Sequence, residues 1–100
     1  MLDQISKAAF DPLRGQTFRL SYGADQSLDL ELAETTSLGA ASKSSPHRAP
    51  FTLVFRHNGE RRNLPQGTYA LEHTDLGRLE IFLVPIGPDS QGMRYEAVFT

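Results

Sequence analysis

The chain has no cysteine, no tryptophan, no long apolar run and no basic excess, and each absence removes a class of protein. Without Cys there is no disulfide framework, no thiolate metal site and no cysteine nucleophile. Nothing approaches the roughly 18 consecutive apolar residues of a membrane helix. The opening MLDQISKAAFDPL carries acidic residues early and lacks the apolar stretch of a signal peptide. A soluble, cytoplasmic protein with no membrane partner is the expectation. Ten Lys and Arg stand against twelve Asp and Glu, a net charge of -2. Duplex binding draws most of its affinity from phosphate neutralisation, so nucleic acid is not an expected partner either.

What is there is the composition of one small globular domain. In 100 residues, 39% are hydrophobic and 22% charged, which suits a single β domain over residues 1–100. The spacing of Leu2, Ile5, Ala9 and Leu13 predicts a short amphipathic helix within residues 1–13, with Asp3 as N-cap or early dipole partner. Asp11-Pro12 should end it, because the residue before proline is pushed out of the helical region.

After Gly15 the period changes to two. Phe18, Leu20 and Tyr22 share one face, and Leu28, Leu30 and Leu32 alternate with Asp29 and Glu31; a short Gly-containing turn between the runs predicts a hairpin. Residues 37–50, SLGAASKSSPHRAP, offer almost no core anchors and predict a flexible Ser/Pro-rich loop. Phe51, Leu53 and Phe55 alternate with Thr52, Val54 and Arg56, so this strand is apolar on both faces and expected to be central. Asn58-Gly59 favours a hairpin turn into the charged segment 60–63.

Tyr69, Leu71 and His73 predict a further inward face, as do Leu79, Ile81 and Leu83. Phe82 and Val84 on the opposite face of that run predict cover on both sides. Pro85 must end the pairing or sit at an edge or a bulge, and residues 87–92, GPDSQG, read as a loop. Tyr95, Ala97 and Phe99 close the series. The fold class is therefore mainly β: a small antiparallel barrel or sandwich of about six strands with a short N-terminal helix. No internal repeat is visible in the sequence, since the hairpins share alternation and not residues.

Candidate chemistry is sparse. The three histidines, His47, His57 and His73, form no metal-ligand spacing, so no metal and no cofactor are expected. His73 near Asp75 has the makings of an oriented base, but a strand-end hydrogen bond is the plainer expectation. Gly-x-Ser-x-Gly and phosphate-cradling glycine loops are absent. Asp29, Glu31, Glu72, Glu80 and Glu96 fall on outer strand faces, as cross-strand partners for Arg19, Arg56 or Arg78. Eight of the ten basic residues are Arg, and Arg56, His57, Arg61 and Arg62, with Arg48 shortly before, gather positive charge around one turn. These five are the candidate contacts for an anion or an acidic partner surface. Phe51, Phe55, Tyr69 and Phe82 have the spacing of core residues.

FDPLRGQTFRL, PFTLVFRH, LPQGTYALEHTDLGRLEIFLVPIGPD and YEAVF together resemble a small uncharacterised bacterial domain family of about this size. The LPQG turn, the LEH-x-x-LG-x-L hairpin and FLVPIGPD carry it most specifically. The resemblance brings no activity and no catalytic residue; it implies a domain whose Gly, Pro and aromatic positions serve the fold, and an association with phage-tail-collar-type fibre proteins. The functional expectation is a non-catalytic accessory or adaptor domain in a bacterial, phage-tail-like assembly, docking a protein partner by strand addition. The alternatives are a small-ligand or anion-binding barrel and an enzyme without a recognisable motif.

Overall fold

Strict alternation of apolar and polar side chains calls for a sheet with one face inward, and a sheet this small must curl to cover that face. The computed structural model, which describes residues 6–23, 25–39, 49–58 and 64–99, has that form. Six strands run β1 (Thr17–Gly23), β2 (Gln26–Ser37), β3 (Phe51–Asn58), β4 (Gly67–His73), β5 (Gly77–Asp89) and β6 (Gly92–Phe99). All pairings are antiparallel, and the barrel closes in the order β1-β2-β3-β6-β5-β4.

Two long strands make the corners. β2 ladders with β1 up to Glu31 and with β3 from Glu31 onward; β5 ladders with β4 through Leu83 and with β6 from Val84. Each register slips once beyond the corner, leaving Ala33 and Ile86 as extra residues. A bulge of this kind bends a strand and sharpens its twist, which lets one strand serve two neighbours.

The halves β1–β3 and β4–β6 follow one plan, with strands of 7, 12 and 8 residues and then 7, 13 and 8. Phe18↔Leu30 and Leu20↔Leu28 in the first hairpin match Tyr69↔Ile81 and Leu71↔Leu79 in the second, and Leu20 faces Leu71 where the halves meet. The repeat absent from the sequence is thus present in the architecture, because alternation is all that each meander needs.

The interior is filled by large apolar side chains. Phe18, Leu20, Leu30, Leu32, Phe55, Leu71, Leu83 and Tyr95 have no contact with solvent. Phe18 meets Phe55 edge-on at 5.3 Å between ring centroids, a favoured aromatic geometry. The buried Tyr95 hydroxyl accepts the backbone N–H of Leu64 at 3.0 Å, so its polar end is not stranded.

One end of the barrel is capped by α1 (Lys7–Phe10), which tightens into a 3-10 turn over Asp11–Leu13. Phe10 packs 5.9 Å from Phe51 and 5.8 Å from Phe99, which themselves stack at 4.7 Å. Among the described residues no helix is long and apolar enough to cross a membrane.

Several expectations need correction. Leu2, Ile5 and the Asp3 cap lie outside the described residues, and the anchor of the helical segment is Phe10, which the expected face omitted. The α-helix is a single turn that ends before Asp11-Pro12 as expected, and Leu13 of the expected face is buried at the end of the 3-10 turn, which takes Pro12 where a missing N–H costs nothing. The GPDSQG segment is not all loop, since β5 runs to Asp89 and β6 begins at Gly92, pairing Pro88 with Met93 and Asp89 with Gly92. Asp89 Oδ1 accepts the N–H of Gln91 at 2.8 Å and of Gly92 at 3.0 Å, folding the chain back within two residues.

The Asn58-Gly59 turn and segment 60–63 lie outside the described residues; the strand pairing with β3 from Phe51 to Asn58 is β6. Finally, Phe82 is not a core residue. The residue is 53% exposed on the outer face of β5.

Candidate functional site

Three places on the barrel hold side chains with something to offer a ligand or partner. The first is the Arg-rich turn. Arg48, Arg61 and Arg62 lie outside the described residues. Arg56 and His57 are described, and both are engaged within the chain. β3 places Arg56 directly opposite Arg94 of β6, a like-charge pairing that is unfavourable unless compensated.

Two carboxylates compensate it. Arg56 Nη2 donates to Asp89 Oδ2 at 2.6 Å, Nε lies 3.0 and 3.2 Å from the Asp89 oxygens, and Nη1 approaches Glu31 at 3.7 Å. Arg94 Nε turns to the Gly87 carbonyl at 3.2 Å. The hydrogen bonds from Arg56, and after them the backbone N–H of Gln91, hold the Asp89 carboxyl below the usual carboxylate range. His57 Nδ1 lies 3.0 Å from the Asp29 carbonyl, which only accepts, so that nitrogen carries a proton. The pair thus ties β3 to β2 and to the β5–β6 turn.

The second place is a cleft on the barrel wall. β1 and β4 share only Arg19↔Glu72, Leu20↔Leu71 and Ser21↔Ala70 before they part. Beyond that short seam lies an open cleft of about 440 Å³ lined by Thr17, Arg19, Asp29, Glu72, His73 and Thr74. Arg19 approaches Asp29 at 3.9 Å, and both are largely exposed.

His73 closes the cleft floor with both ring nitrogens occupied. Nδ1 accepts the backbone N–H of Asp75 at 3.0 Å, which places the proton on Nε2, 2.7 Å from Gln16 Oε1. The ring is buried and lies 4.7 Å from Phe18. The partner from Asp75 is its backbone and not its carboxylate, so the triad-like geometry of a carboxylate orienting a base is not formed there. Among the described residues no three His, Asp or Glu gather to hold a metal ion.

The third place is the outer face of β5 and β6. Ladder registers put Thr36 opposite Thr52, Thr52 opposite Val98, and Thr68 opposite Phe82. Val98 is 56% exposed, and with Phe82 it stands on the wall next to Val84 and Val54. The sequence reading missed this face by assigning Phe82 to the core. The signal was present in the phase: Phe82 alternates with Ile81 and Leu83, and those two already define the inward side. Asp89 and Gln16 were missed as well. Both act on residues far away in sequence, which no local pattern reveals.

Neither curated proteins nor solved structures provide a match to this chain. A family model does, over residues 5–99, nearly the whole length. The chain belongs to the family described as Domain of unknown function (DUF6916).

Proposed function

We propose that the domain is a non-catalytic interaction module that docks a protein partner on the outer face of β5 and β6. The observation that carries this reading is the pair Phe82 and Val98, more than half exposed on a barrel whose other large aromatic side chains mostly point inward. Large apolar side chains left this exposed favour association, because covering them removes apolar surface from water. Strand addition has less to stand on, since a closed barrel offers no continuous free edge. Docking on the face takes its place. An adaptor role in a phage-tail-like assembly, with a fibre-type protein as partner, is the setting that the sequence resemblance suggests.

The test is a photo-crosslinking side chain at Thr68, exposed and opposite Phe82, in the cells that make the protein. A discrete adduct is expected there, lost in Phe82→Asp and absent when the crosslinker sits at Asp25 in the β1–β2 turn. No adduct at Thr68, or equal adducts at both positions, overturns the reading.

The cleft beside Arg19 favours a second reading, a site for a small polar ligand. Its volume is within the usual range for ligand sites, and its lining mixes one guanidinium with two carboxylates. Titrations with small anions and amino acids, followed at Thr17, Arg19 and Thr74, test it; unchanged spectra exclude it.

A further inference from the structure

The face of β5 and β6 carries a charge pattern of its own. From it we infer that the docked segment is cationic and amphipathic, with apolar side chains on Phe82 and Val98 and Lys or Arg beside them to meet Glu80, Glu96 and Glu34. This rests on the interaction reading above and names the chemistry of the partner.

Register places the carboxylates. Glu80 lies two residues before Phe82 on β5, and Glu96 two before Val98 on β6. The β5–β6 ladder begins at Val84↔Glu96; carrying its antiparallel register one step further sets Phe82 toward Val98, with Glu80 and Glu96 on opposite sides of them. The adjoining row reads Glu34, Val54, Glu96, Val84 across four strands. Glu34 and Glu96 enter no ion pair among the described residues.

The nearby cations are fewer than the carboxylates. Arg56 is held by Asp89 and Glu31, and Arg94 by the Gly87 carbonyl. Arg78 lies 3.7 Å from Glu80 on the same strand, with both groups about two-thirds exposed. Counted together, the three guanidiniums of Arg56, Arg78 and Arg94 stand among five carboxylates, Glu31, Glu34, Glu80, Asp89 and Glu96, so the surroundings of Phe82 and Val98 are net negative and a partner bearing acidic residues would meet repulsion there.

The twofold plan of the barrel sharpens the contrast. In the first half, the outer pair at the equivalent corner is Glu31 and Arg56, which satisfy each other within the chain. In the second half the matching strand positions are Phe82 and Val98, one register step outside the β5–β6 ladder. One corner is closed by an ion pair, and the other presents exposed apolar side chains near Glu34 and Glu96, which enter no ion pair among the described residues.

The test titrates the full chain, followed by backbone NMR, with two synthetic amphipathic peptides that share one leucine pattern, one with lysine at every polar position and one with glutamate. The lysine peptide is expected to shift Thr68, Phe82, Val84 and Val98 and to weaken as salt is raised. The glutamate peptide is expected to bind at least about tenfold more weakly, and the double variant Glu80→Lys, Glu96→Lys to reverse the preference.

Equal binding of both peptides on this face, insensitive to salt, overturns the charge inference and leaves the interaction reading standing. Shifts centred on Arg19 and Glu72 overturn both. Concentration-dependent shifts of this face without peptide, matched by a dimer in sedimentation, overturn the inference in favour of a second copy of the chain.

Discussion

Gly92→Ala tests the tightest backbone approach in the barrel. Gly92 begins β6 at φ +155°, and a Cβ built there would run into the backbone carbonyl of His57 on the neighbouring strand. Two costs follow. Holding a residue with a side chain in that sparsely populated conformation costs about 1–3 kcal/mol. Relieving the overlap moves β3 away from β6 at the end of their ladder, at Asn58↔Gly92 and His57↔Met93. Each backbone hydrogen bond lost there costs about 0.5–1.5 kcal/mol.

The sum is about 3 kcal/mol, a large share of the 5–15 kcal/mol typical of a small domain. With a urea slope of about 1.5 kcal/mol/M, the unfolding midpoint should fall by about 2 M. Gly77→Ala is the control. Gly77 has φ +74°, but a Cβ there meets nothing within 4 Å, so only the conformational cost of about 1 kcal/mol applies. Urea unfolding of both variants decides the matter. If Gly92→Ala lies within 1 kcal/mol of the parent, or is milder than Gly77→Ala, the close approach of β3 and β6 is not as described. The position also bears on the Arg56 network, because Asp89 holds the N–H of Gly92 and the guanidinium with one carboxylate.

Phe10→Ala should cost about 3–5 kcal/mol by opening the Phe10–Phe51–Phe99 cluster, whereas Phe82→Ala should change stability by less than about 1 kcal/mol; thermal unfolding of both separates core from face. Acid should unfold the protein partly through Asp11 and Asp89. Hydrogen bonds from Thr35 first, and then Lys7, hold the Asp11 carboxyl below its ordinary value, as Arg56 does for Asp89. Both lowered groups stabilise the fold above the ordinary carboxylate range, and their contribution is lost as pH falls through their lowered native values. Thr35→Val should therefore flatten the acid limb of the stability–pH curve, and an unchanged limb would remove Thr35 from the account. Nitrogen-15 chemical shifts should find His73 protonated at Nε2 and unprotonated at Nδ1, and a protonated Nδ1 would contradict the Asp75 hydrogen bond.

Much of the barrel was legible in local pattern. Phe18, Leu20, Leu28, Leu30 and Leu32 fall inward because alternation on a half-covered sheet leaves no other choice. Pro85 sits at the β5 bulge because it has no N–H to give the ladder. Less of the candidate site was legible. The face of β5 and β6 depends on what does not pack against it, and the Arg56 clamp on a carboxylate 33 residues away.

What the sequence by itself determined is the class and the phase of this protein: a mainly β fold, the inward residues of its alternating strands, and several of its turns. Those properties follow from side-chain periodicity and from turn chemistry, which act over a few residues. Only the tertiary structure decided that the sheet closes into a barrel of two matching halves, that Arg56 is neutralised from within, and that Phe82 and Val98 face outward. Each of these depends on register between strands distant in the chain, and register comes from packing the whole core at once.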